Sequence, residues 1–595
     1  MNKEKRFLIT TALEETWIDD QPLLFLGEWC RLYSRKDRWA KMNASLLPYH
    51  WDDRNKLYAD YQYLNRLYER VLIDLTSKLN DVHKVDYSLR YWRILAGPWL
   101  AYFIQILFDR WLSIQSAVKH FEIIGTIVLN GCNENLIPND MSHFADLMVS
   151  DEWNHHIYAE MLHNSGNVPI IIRDSENVYP TTDIERNASS IKNKVLNIYS
   201  KIANHFVQDF GAFLSATYLT KFNEVLLQLR LGQFPQFWQH KKSFKIPLDK
   251  QQRNWMLTSN AQSEFEIFLL SQLPKQIPIA YLEGYHSLIE QIHLLPWPKF
   301  PKIIYTSNVL WYDTVSMAYT AEKVERGTPL VYGQHGGVYG AAKFTFFEEH
   351  EITISDRYLT WGWFSESNSK VVPIGMLKIT KKVAQKFNNK KNILLITLNS
   401  FRYTYCLCSE SGLNFPRYFE NYFLFAASIH ECIRNKMLVR LSSWDNGWEQ
   451  SLRWGDRFPN VQLDSGCQGI YELFDNSRIV VQTYNSTGIL ETLALGIPTI
   501  LFCDLKVMPL RESAVPYYDE LKRVGIFHDT PESAALHVNA VWDDVDAWWA
   551  SPEVQGVVAS FTKQYCHISE DLLVRVEATL REVIAEVNNK KITTG

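Results

Sequence analysis

The stretch QTYNSTGILETLALGIPTILF, from Gln482 to Phe502, carries the pattern that decides the fold. An apolar strand ends in a small polar turn, a helical pattern follows, and Gly-Ile-Pro ends that helix before a second apolar strand. In a parallel sheet, such a unit places the free N–H groups of a helix N-terminus at the carboxyl edge of the strands, where ligands bind. The stretch therefore predicts half of a nucleotide-binding α/β domain.

The polar turn offers the candidate ligand groups. The hydroxyls of Ser486 and Thr487 could donate to phosphate oxygens, and Gly488 lets the backbone approach a ligand closely. Glu491 lies one turn into the helix, where its carboxylate could accept from two ribose hydroxyls. The alternative is that Asn485 or Ser486 only caps the helix, with Glu491 contributing to the electrostatics of the helix end.

Length and composition exclude several classes of protein. A chain of 595 residues is long enough for two to four domains. The net charge of −5 and the absence of a long Lys/Arg run argue against a nucleic-acid partner. No apolar run reaches the roughly 18 residues that span a bilayer, and the N-terminus does not resemble a signal peptide. We expect a cytoplasmic protein whose eight scattered cysteines are reduced.

Hydrophobic patterns along the chain predict two α/β domains that face a cleft. Residues 1–378 form the first domain, with a large helical insertion at about 52–200. The Lys/Asn-rich segment at residues 380–392 is typical of a linker, and the boundary should fall near 376–391. Strands alternate with helix-length segments in residues 391–595, which predicts a Rossmann-like parallel sheet. A long amphipathic C-terminal helix should cover the outside of a sheet or cross back to the first domain.

A second polar motif, QHGG, follows a predicted strand and comprises Gln334, His335, Gly336 and Gly337. Histidine exchanges protons near neutral pH, and paired glycines let a ligand touch the backbone. His335 could donate a proton to a leaving phosphate or take one from an acceptor hydroxyl. The alternative is a histidine that is only packed in a glycine-rich turn.

Further charged and polar side chains lie downstream of the QHGG motif or where predicted strands end. A carboxylate could act as a base or stabilise a positively charged transition state, and an arginine fork suits phosphate. Each of them could instead form a surface ion pair or a helix cap. The candidate carboxylates are Glu348, Glu349, Asp356 and Glu28, and the candidate donor-binding residues are Asn399, Ser400, Arg402 and Arg440.

The segment NSTGILETLALGIPTI resembles the donor-domain signature of GT-B glycosyltransferases. A wider set of segments, TALEETW, LLFLGEWC, LPYHWDD, RYWRILAGPWL, YGQHGG and STGILETLALGIPT, resembles a family of bacterial transferases from O-antigen and other surface-polysaccharide loci. More distantly, QHGG together with the STG helix is similar to capsule Kdo transferases and CDP-glycerol polymer synthases. The resemblance implies a GT-B-like fold of two Rossmann-type domains, with the His-Gly motif facing the nucleotide half.

The leading hypothesis is a glycosyltransferase of surface-polysaccharide biosynthesis. We expect it to be metal-independent, because no convincing Asp-x-Asp motif occurs in a cleft-like context. It would use a nucleotide sugar as co-substrate and need no other cofactor. The distant resemblance favours a CMP-activated donor such as Kdo or a nonulosonate, with a glycan or lipid-linked glycan as acceptor. It allows peripheral contact with the inner membrane or with polysaccharide assembly proteins. The alternatives are a CDP-alcohol phosphotransferase and a non-catalytic scaffold that binds nucleotide sugars or glycans.

Overall fold

The computed structural model describes residues 3–131, 133–174, 199–200, 202–238, 241–257, 260–379, 386–409 and 415–594. Parts of two predicted segments, residues 175–198 of the helical insertion and 380–385 of the linker, lie outside these ranges. None of the helices in the described ranges is both long and apolar enough to cross a membrane.

The described residues form three sheets, and all their strand pairs are parallel. The first sheet has the order β3-β2-β1-β4-β5. Its central strands are rich in buried Leu, Ile and Phe, as expected when helices cover both faces. The strands are β1 (Glu4–Ile9), β2 (Leu23–Phe25), β3 (Ala44–Leu46), β4 (Phe121–Asn130) and β5 (Ile170–Asp174).

The second sheet has the order β10-β9-β8-β7-β6, so consecutive strands are neighbours. Because its strands are parallel, their carboxyl ends lie along one edge, and the QHGG loop follows β8 at that edge. The strands are β6 (Ala212–Ser215), β7 (Ile303–Thr306), β8 (Leu330–Gly333), β9 (Arg357–Thr360) and β10 (Val371–Pro373).

The third sheet has the order β13-β12-β11-β14-β15-β16. This is the order of dinucleotide-binding sheets, in which ligands bind where the strand order reverses, here between β11 and β14. The strands are β11 (Asn392–Ile396), β12 (Met437–Arg440), β13 (Gln462–Asp464), β14 (Ser477–Gln482), β15 (Thr499–Phe502) and β16 (Phe527–His528).

Helices cover these sheets and connect their strands. In the first half of the chain they are α1 (Lys36–Trp39), α2 (Arg54–His83), α3 (Leu89–Leu95), α4 (Gly97–His120), α5 (Met141–Leu147), α6 (Asp151–Ser165), α7 (Lys221–Arg230), α8 (Glu264–Gln276), α9 (Tyr285–Leu294), α10 (Thr314–Glu325) and α11 (Phe346–Ile354). In the second half they are α12 (Phe415–Ser428), α13 (Glu431–Arg434), α14 (Gln450–Arg457), α15 (Ile470–Asn476), α16 (Thr487–Leu495), α17 (Val515–Arg523), α18 (Pro531–Val541), α19 (Val545–Trp549), α20 (Pro552–Tyr565) and α21 (Leu572–Thr594).

The predicted α/β class is confirmed, and the first and third sheets both have a Rossmann-like strand order. The predicted insertion at 52–200 contains long helices, but it also supplies β4 and β5 to the first sheet. The segment FEIIGTIVLN forms β4 because its β-branched residues pair beside β1, a long-range contact that local periodicity does not reveal. Residues 1–378 therefore contain two sheets rather than one.

The C-terminal helix crosses back to the second sheet. Glu577 of α21 pairs with Arg230 of α7 at 3.4 Å, and Arg575 donates to the carbonyl of Pro373 at 2.8 Å. Of the two positions predicted for this helix, the structure shows the one that crosses back to residues 1–378. The predicted division into residues 1–378 and 391–595 falls between β10 and β11 and stays a prediction.

Candidate active site

The QHGG loop touches the N-terminus of α16 directly. Gly337 lies so close that a Cβ atom on it would overlap backbone atoms of Ser486 and Thr487. The carboxyl edges of the second and third sheets therefore meet at this point. The two motifs that the sequence singled out lie 150 residues apart in the chain and form one site.

His335 is held by a buried carboxylate that the sequence analysis did not select. Its Nε2 lies 2.8 Å from Oε1 of Glu351, which is fully buried on α11. The hydroxyl of Tyr339 lies 3.1 Å from the same Nε2, while the His335 side chain keeps 19% of its surface exposed. A carboxylate in this position fixes the orientation of the imidazole ring.

Other neutral donors also converge on Glu351. Trp311 donates to Oε1 at 2.8 Å, and Tyr358 donates to Oε2 at 3.0 Å. Burial, followed by the charge of Glu351, raises the pKa of Tyr339 and of Tyr358 well above its usual range. Both phenols therefore remain neutral donors, and Glu351 is the centre of a rigid network behind His335.

Gln334 shapes the loop rather than meeting a ligand. It is fully buried, and its amide nitrogen donates to the carbonyl of Gly336 at 2.8 Å. Its amide oxygen accepts from the backbone of Trp361 at 3.0 Å and from the indole of Trp363 at 2.8 Å. These bonds fix the loop that presents His335.

On the facing side, part of the polar turn has structural contacts. Ser486 is the N-cap of α16 and accepts from the amide of Gly488 at 3.3 Å, which is the capping role weighed above. Asn485 is buried and accepts from the hydroxyl of Tyr518 at 2.9 Å. Gly488 packs against the buried amide of Gln482, which leaves no room for a side chain at position 488. Ligand binding by this turn stays a prediction.

Glu491 lies in a second polar cluster beside the site. Its Oε1 accepts from Lys378 and from the hydroxyl of Tyr471, both at 3.2 Å. Lys378 follows β10, so it comes from the second sheet. Glu491 therefore bonds across the junction between the two sheets, and its proposed contact with ribose stays a prediction.

Tyr218 lies between the two polar clusters. Its ring centroid is 6.1 Å from that of His335, and both Lys378 and Glu491 act electrostatically on its phenol. Tyr218 and Ala216 have φ angles of 64° and 49°, a region that non-glycine residues rarely occupy. This loop after β6 holds strained backbone, a feature that clusters at functional sites.

The structure shows other contacts for two of the four candidate carboxylates, Glu348 and Glu28. Glu348 is buried, accepts from the amide of Gly340 at 2.7 Å, and pairs with Arg511 at 2.8 Å. Glu28 follows β2 in the first sheet and is bonded through both oxygens to Arg31. Among the described residues, the hydrogen-bond partners of His335 are Glu351 and Tyr339 rather than either of these carboxylates. The sequence could not predict this, because it does not show which loops share an edge.

Two predicted donor-binding arginines are likewise occupied. Arg402 donates to the carbonyl of Trp29 at 2.6 Å and pairs with Asp151, so it joins the third sheet to the first. Arg440 pairs with Asp464 and donates to the carbonyl of Gln468 at 2.9 Å. An arginine at a strand end can thus serve a domain contact as well as a phosphate.

The remaining donor-side candidates lie at the switch point. Ser400 is half-buried in the loop after β11, beside the loop after β14. Its neighbour Asn399 donates to the carbonyl of Trp444 at 2.9 Å. Donor binding by Ser400 stays a prediction.

The sequence contained a weak signal for the residues that were missed. Glu351 follows Glu348 by three positions, so both lie on one face of α11, and a carboxylate on a buried helix face requires a partner. Lys378 had no comparable signal, because its partner Glu491 is 113 positions away.

Within the described residues, no group of three His, Cys, Asp or Glu side chains is placed to hold a metal ion.

Several solved structures show weak similarity to this chain. MurG from Acinetobacter baumannii has a TM-score of 0.30 at 9% identity, with 77% of this chain and 99% of that chain covered. The wall teichoic acid polymerase TagF has a TM-score of 0.33 at 11% identity, with 72% and 98% covered. WaaG, a glycosyltransferase involved in lipopolysaccharide biosynthesis, has a TM-score of 0.28 at 11% identity, with 62% and 99% covered.

Because these TM-scores lie below 0.5, no property of those proteins is transferred to this chain. No curated protein sequence matches it. The model of the LIC12162 family transferases matches residues 6–580, nearly the whole length, and the chain therefore belongs to the LIC12162 family of transferases.

Proposed function

We propose that this transferase moves a sugar from a nucleotide donor to a glycan acceptor. The observation that carries the proposal is the contact of Gly337 with Ser486 and Thr487, which brings a carboxylate-held histidine to a helix N-terminus. A helix N-terminus binds the phosphates of a nucleotide, and the histidine supplies proton transfer. The switch point of the third sheet, next to α16, is where a nucleotide binds in such sheets.

The chemistry assigned to this site is a substitution at the anomeric carbon. The acceptor oxygen forms the new bond to that carbon, while the bond to the donor phosphate breaks and the nucleotide leaves with the electron pair. His335 takes the acceptor proton, or it gives a proton to the leaving phosphate while the acceptor proton passes to solvent. In both roles Glu351 stabilises the protonated ring at 2.8 Å, and the N–H groups of α16 stabilise the departing charge.

We further propose a CMP-activated donor such as Kdo or a nonulosonate, and an acceptor that belongs to an O-antigen or capsule glycan. Support for the donor comes from the resemblance of QHGG and the STG helix to capsule Kdo transferases, and support for the acceptor comes from the resemblance of the wider set of segments to transferases from O-antigen and other surface-polysaccharide loci. A lipid-linked acceptor would bring the protein to the inner membrane as a peripheral partner. The second enzymatic candidate is a CDP-alcohol phosphotransferase, because the same histidine and helix could act on phosphorus.

Thermal stabilisation by CMP, CDP, UDP and GDP tests the donor class. A ligand that binds only the folded state raises the thermal midpoint by mass action. We expect CMP to raise it most, and Thr487→Ala to reduce that shift. A larger shift with UDP or GDP would contradict the CMP donor.

Product analysis then separates the reaction types. Released CMP with a glycosylated acceptor supports sugar transfer, whereas a phosphodiester product would establish the phosphotransferase. Nucleotide binding without turnover on any nucleotide sugar would favour the non-catalytic scaffold.

A further inference from the structure

The amino-terminal edge of the second sheet carries an aromatic and basic surface that the proposed chemistry does not use. A groove there lies beside the starts of β6, β7 and β8, at the opposite end of these strands from His335. It is lined mainly by cationic and apolar side chains, namely Lys299, Lys302, Lys323, Arg326, Phe210, Phe300, Ile584 and Val587. We call these residues the basic groove.

Two pairs of stacked phenylalanines stand open to solvent on this side. Phe210 and Phe300 are 71% and 53% exposed, and their ring centroids are 5.6 Å apart. Phe206 and Phe234 are 54% and 39% exposed and stack at 4.9 Å. Clustered exposed aromatic rings of this kind mark an interaction surface, because leaving them in water costs free energy.

Contacts within the chain join these pairs into one surface. Asp209 accepts from the amide of Phe300 at 2.8 Å through its carbonyl, and Gln208 donates to the carbonyl of Gly232 at 3.5 Å. α9 precedes this surface in the chain and ends at Leu294, which is 81% exposed.

The charges of this surface identify its partner. Among the described residues that line the basic groove, four are cationic and none is acidic, and two of the four, Lys323 and Arg326, pair with Glu322 beside it. Lys299 is 70% exposed and reaches Asp209 only at 3.8 Å. The whole chain carries −5, so an anionic partner would be repelled elsewhere and attracted here.

We propose that the basic groove and its flanking phenylalanines dock the protein on an anionic bilayer. The rings would enter the headgroup region, and the lysines would meet anionic lipids. A second copy fits less well, because two copies of the groove would bring cation against cation. This inference rests on the peripheral membrane contact in the proposed function and names the surface that makes it.

Vesicle flotation of the full chain tests this docking. The vesicles contain phosphatidylcholine alone or an equal mixture of phosphatidylcholine and phosphatidylglycerol. We expect binding to the mixture only, and binding at least about tenfold weaker in the Phe210→Ser, Phe300→Ser double variant. Phe364→Ser is the matched control, because Phe364 is 56% exposed but follows β9 at the opposite edge of the same sheet.

A second variant tests the electrostatic contribution to vesicle binding. Lys299→Glu with Arg326→Gln should weaken binding to the mixture by about tenfold or more, since each basic residue near an anionic surface contributes roughly 1 kcal/mol. Equal binding by the double phenylalanine variant and its control would overturn the proposal. So would equal binding to both vesicle types, or a stable dimer that the phenylalanine changes dissociate. None of these readouts uses donor or turnover, so they stand apart from the test of sugar transfer.

Discussion

At the scale of single residues, the proposed chemistry depends on how Glu351 holds His335. His335→Ala should lower turnover by about 100-fold or more, because it removes the proton-transfer group, while donor affinity changes far less. Steady-state kinetics on folded protein, together with nucleotide affinity, measure the two effects. Normal turnover per folded molecule would remove His335 from the mechanism.

Glu351→Gln tests the positioning role of the buried carboxylate. The amide keeps the size of the side chain but loses the charge that stabilises the protonated ring, so kcat should fall by about tenfold or more while KM changes little. Glu348→Gln is the contrasting variant on the same helix. It should lower stability by about 1–3 kcal/mol through its bonds to Arg511 and Gly340, with little loss of turnover per folded molecule. The reverse pattern would exchange the roles of the two residues.

The sequence pattern identified some residues of the site but not others. His335 could be selected because a polar, glycine-flanked histidine after an apolar strand is uncommon for packing alone. Glu351 could not be ranked above Glu348 or Glu349, because only the fold shows which of them reaches the histidine. The partner of Arg402 could not be predicted for the same reason, since Asp151 lies 251 positions away in the chain.

At the scale of elements, the site is a junction between the loop after β8 and the start of α16. Gly337→Ala should weaken nucleotide binding and turnover together, because the added Cβ would push the loop away from Ser486 and Thr487. The backbone of Gly337 is not in the left-handed region, so alanine itself is tolerated there. The nucleotide-induced shift in thermal midpoint and the turnover number measure the result.

Gly455→Ala is the matched control for Gly337→Ala. It lies on the exposed side of α14, with nothing within 4 Å of the added Cβ, so it should leave activity unchanged and raise helix stability by up to about 1 kcal/mol. Unchanged nucleotide binding in Gly337→Ala would show that the junction is not part of the donor site.

The strands and turns of this junction could be predicted because each has a local signature. Apolar β-rich runs end in QHGG and in NSTG, and a helical pattern follows the second. The assignment of strands to sheets could not be predicted in the same way. Strand β4 pairs with β1 across more than 100 residues, and its sequence is flanked by helical patterns that dominate local periodicity.

At the scale of the whole molecule, buried neutral histidines connect the fold to pH. Burial lowers the pKa of His50, His83, His155 and His537 to about 4, and that of His350 to about 3. Their unfolded value is about 6.5, so the unfolded chain binds more protons between these limits. The contribution of these neutral histidines to the free energy of unfolding should therefore be fully present above about pH 6.5, and it should be lost as the pH drops toward 4.

His350 provides the sharpest test of this pH dependence. Both of its ring nitrogens are buried without a hydrogen-bond partner among the described residues, and after burial the charge of Arg93 also lowers its pKa. His350→Phe keeps a ring beside Phe346 and Trp311 and removes the group that protonates on unfolding. Relative to wild type, the variant should gain about 1.4 kcal/mol of unfolding free energy for each pH unit below about 6.5.

Denaturant unfolding at pH 7.5, 6.0 and 5.0 measures this difference, and His163→Phe, a change at an exposed helical histidine, is the control. The control should follow wild type at all three pH values, because an exposed imidazole is hydrated in both states. Parallel pH curves for His350→Phe and wild type would show that other groups cause the acid sensitivity. A loss of stability in His350→Phe already at pH 7.5 would instead show that the two ring nitrogens are hydrogen-bonded to buried water.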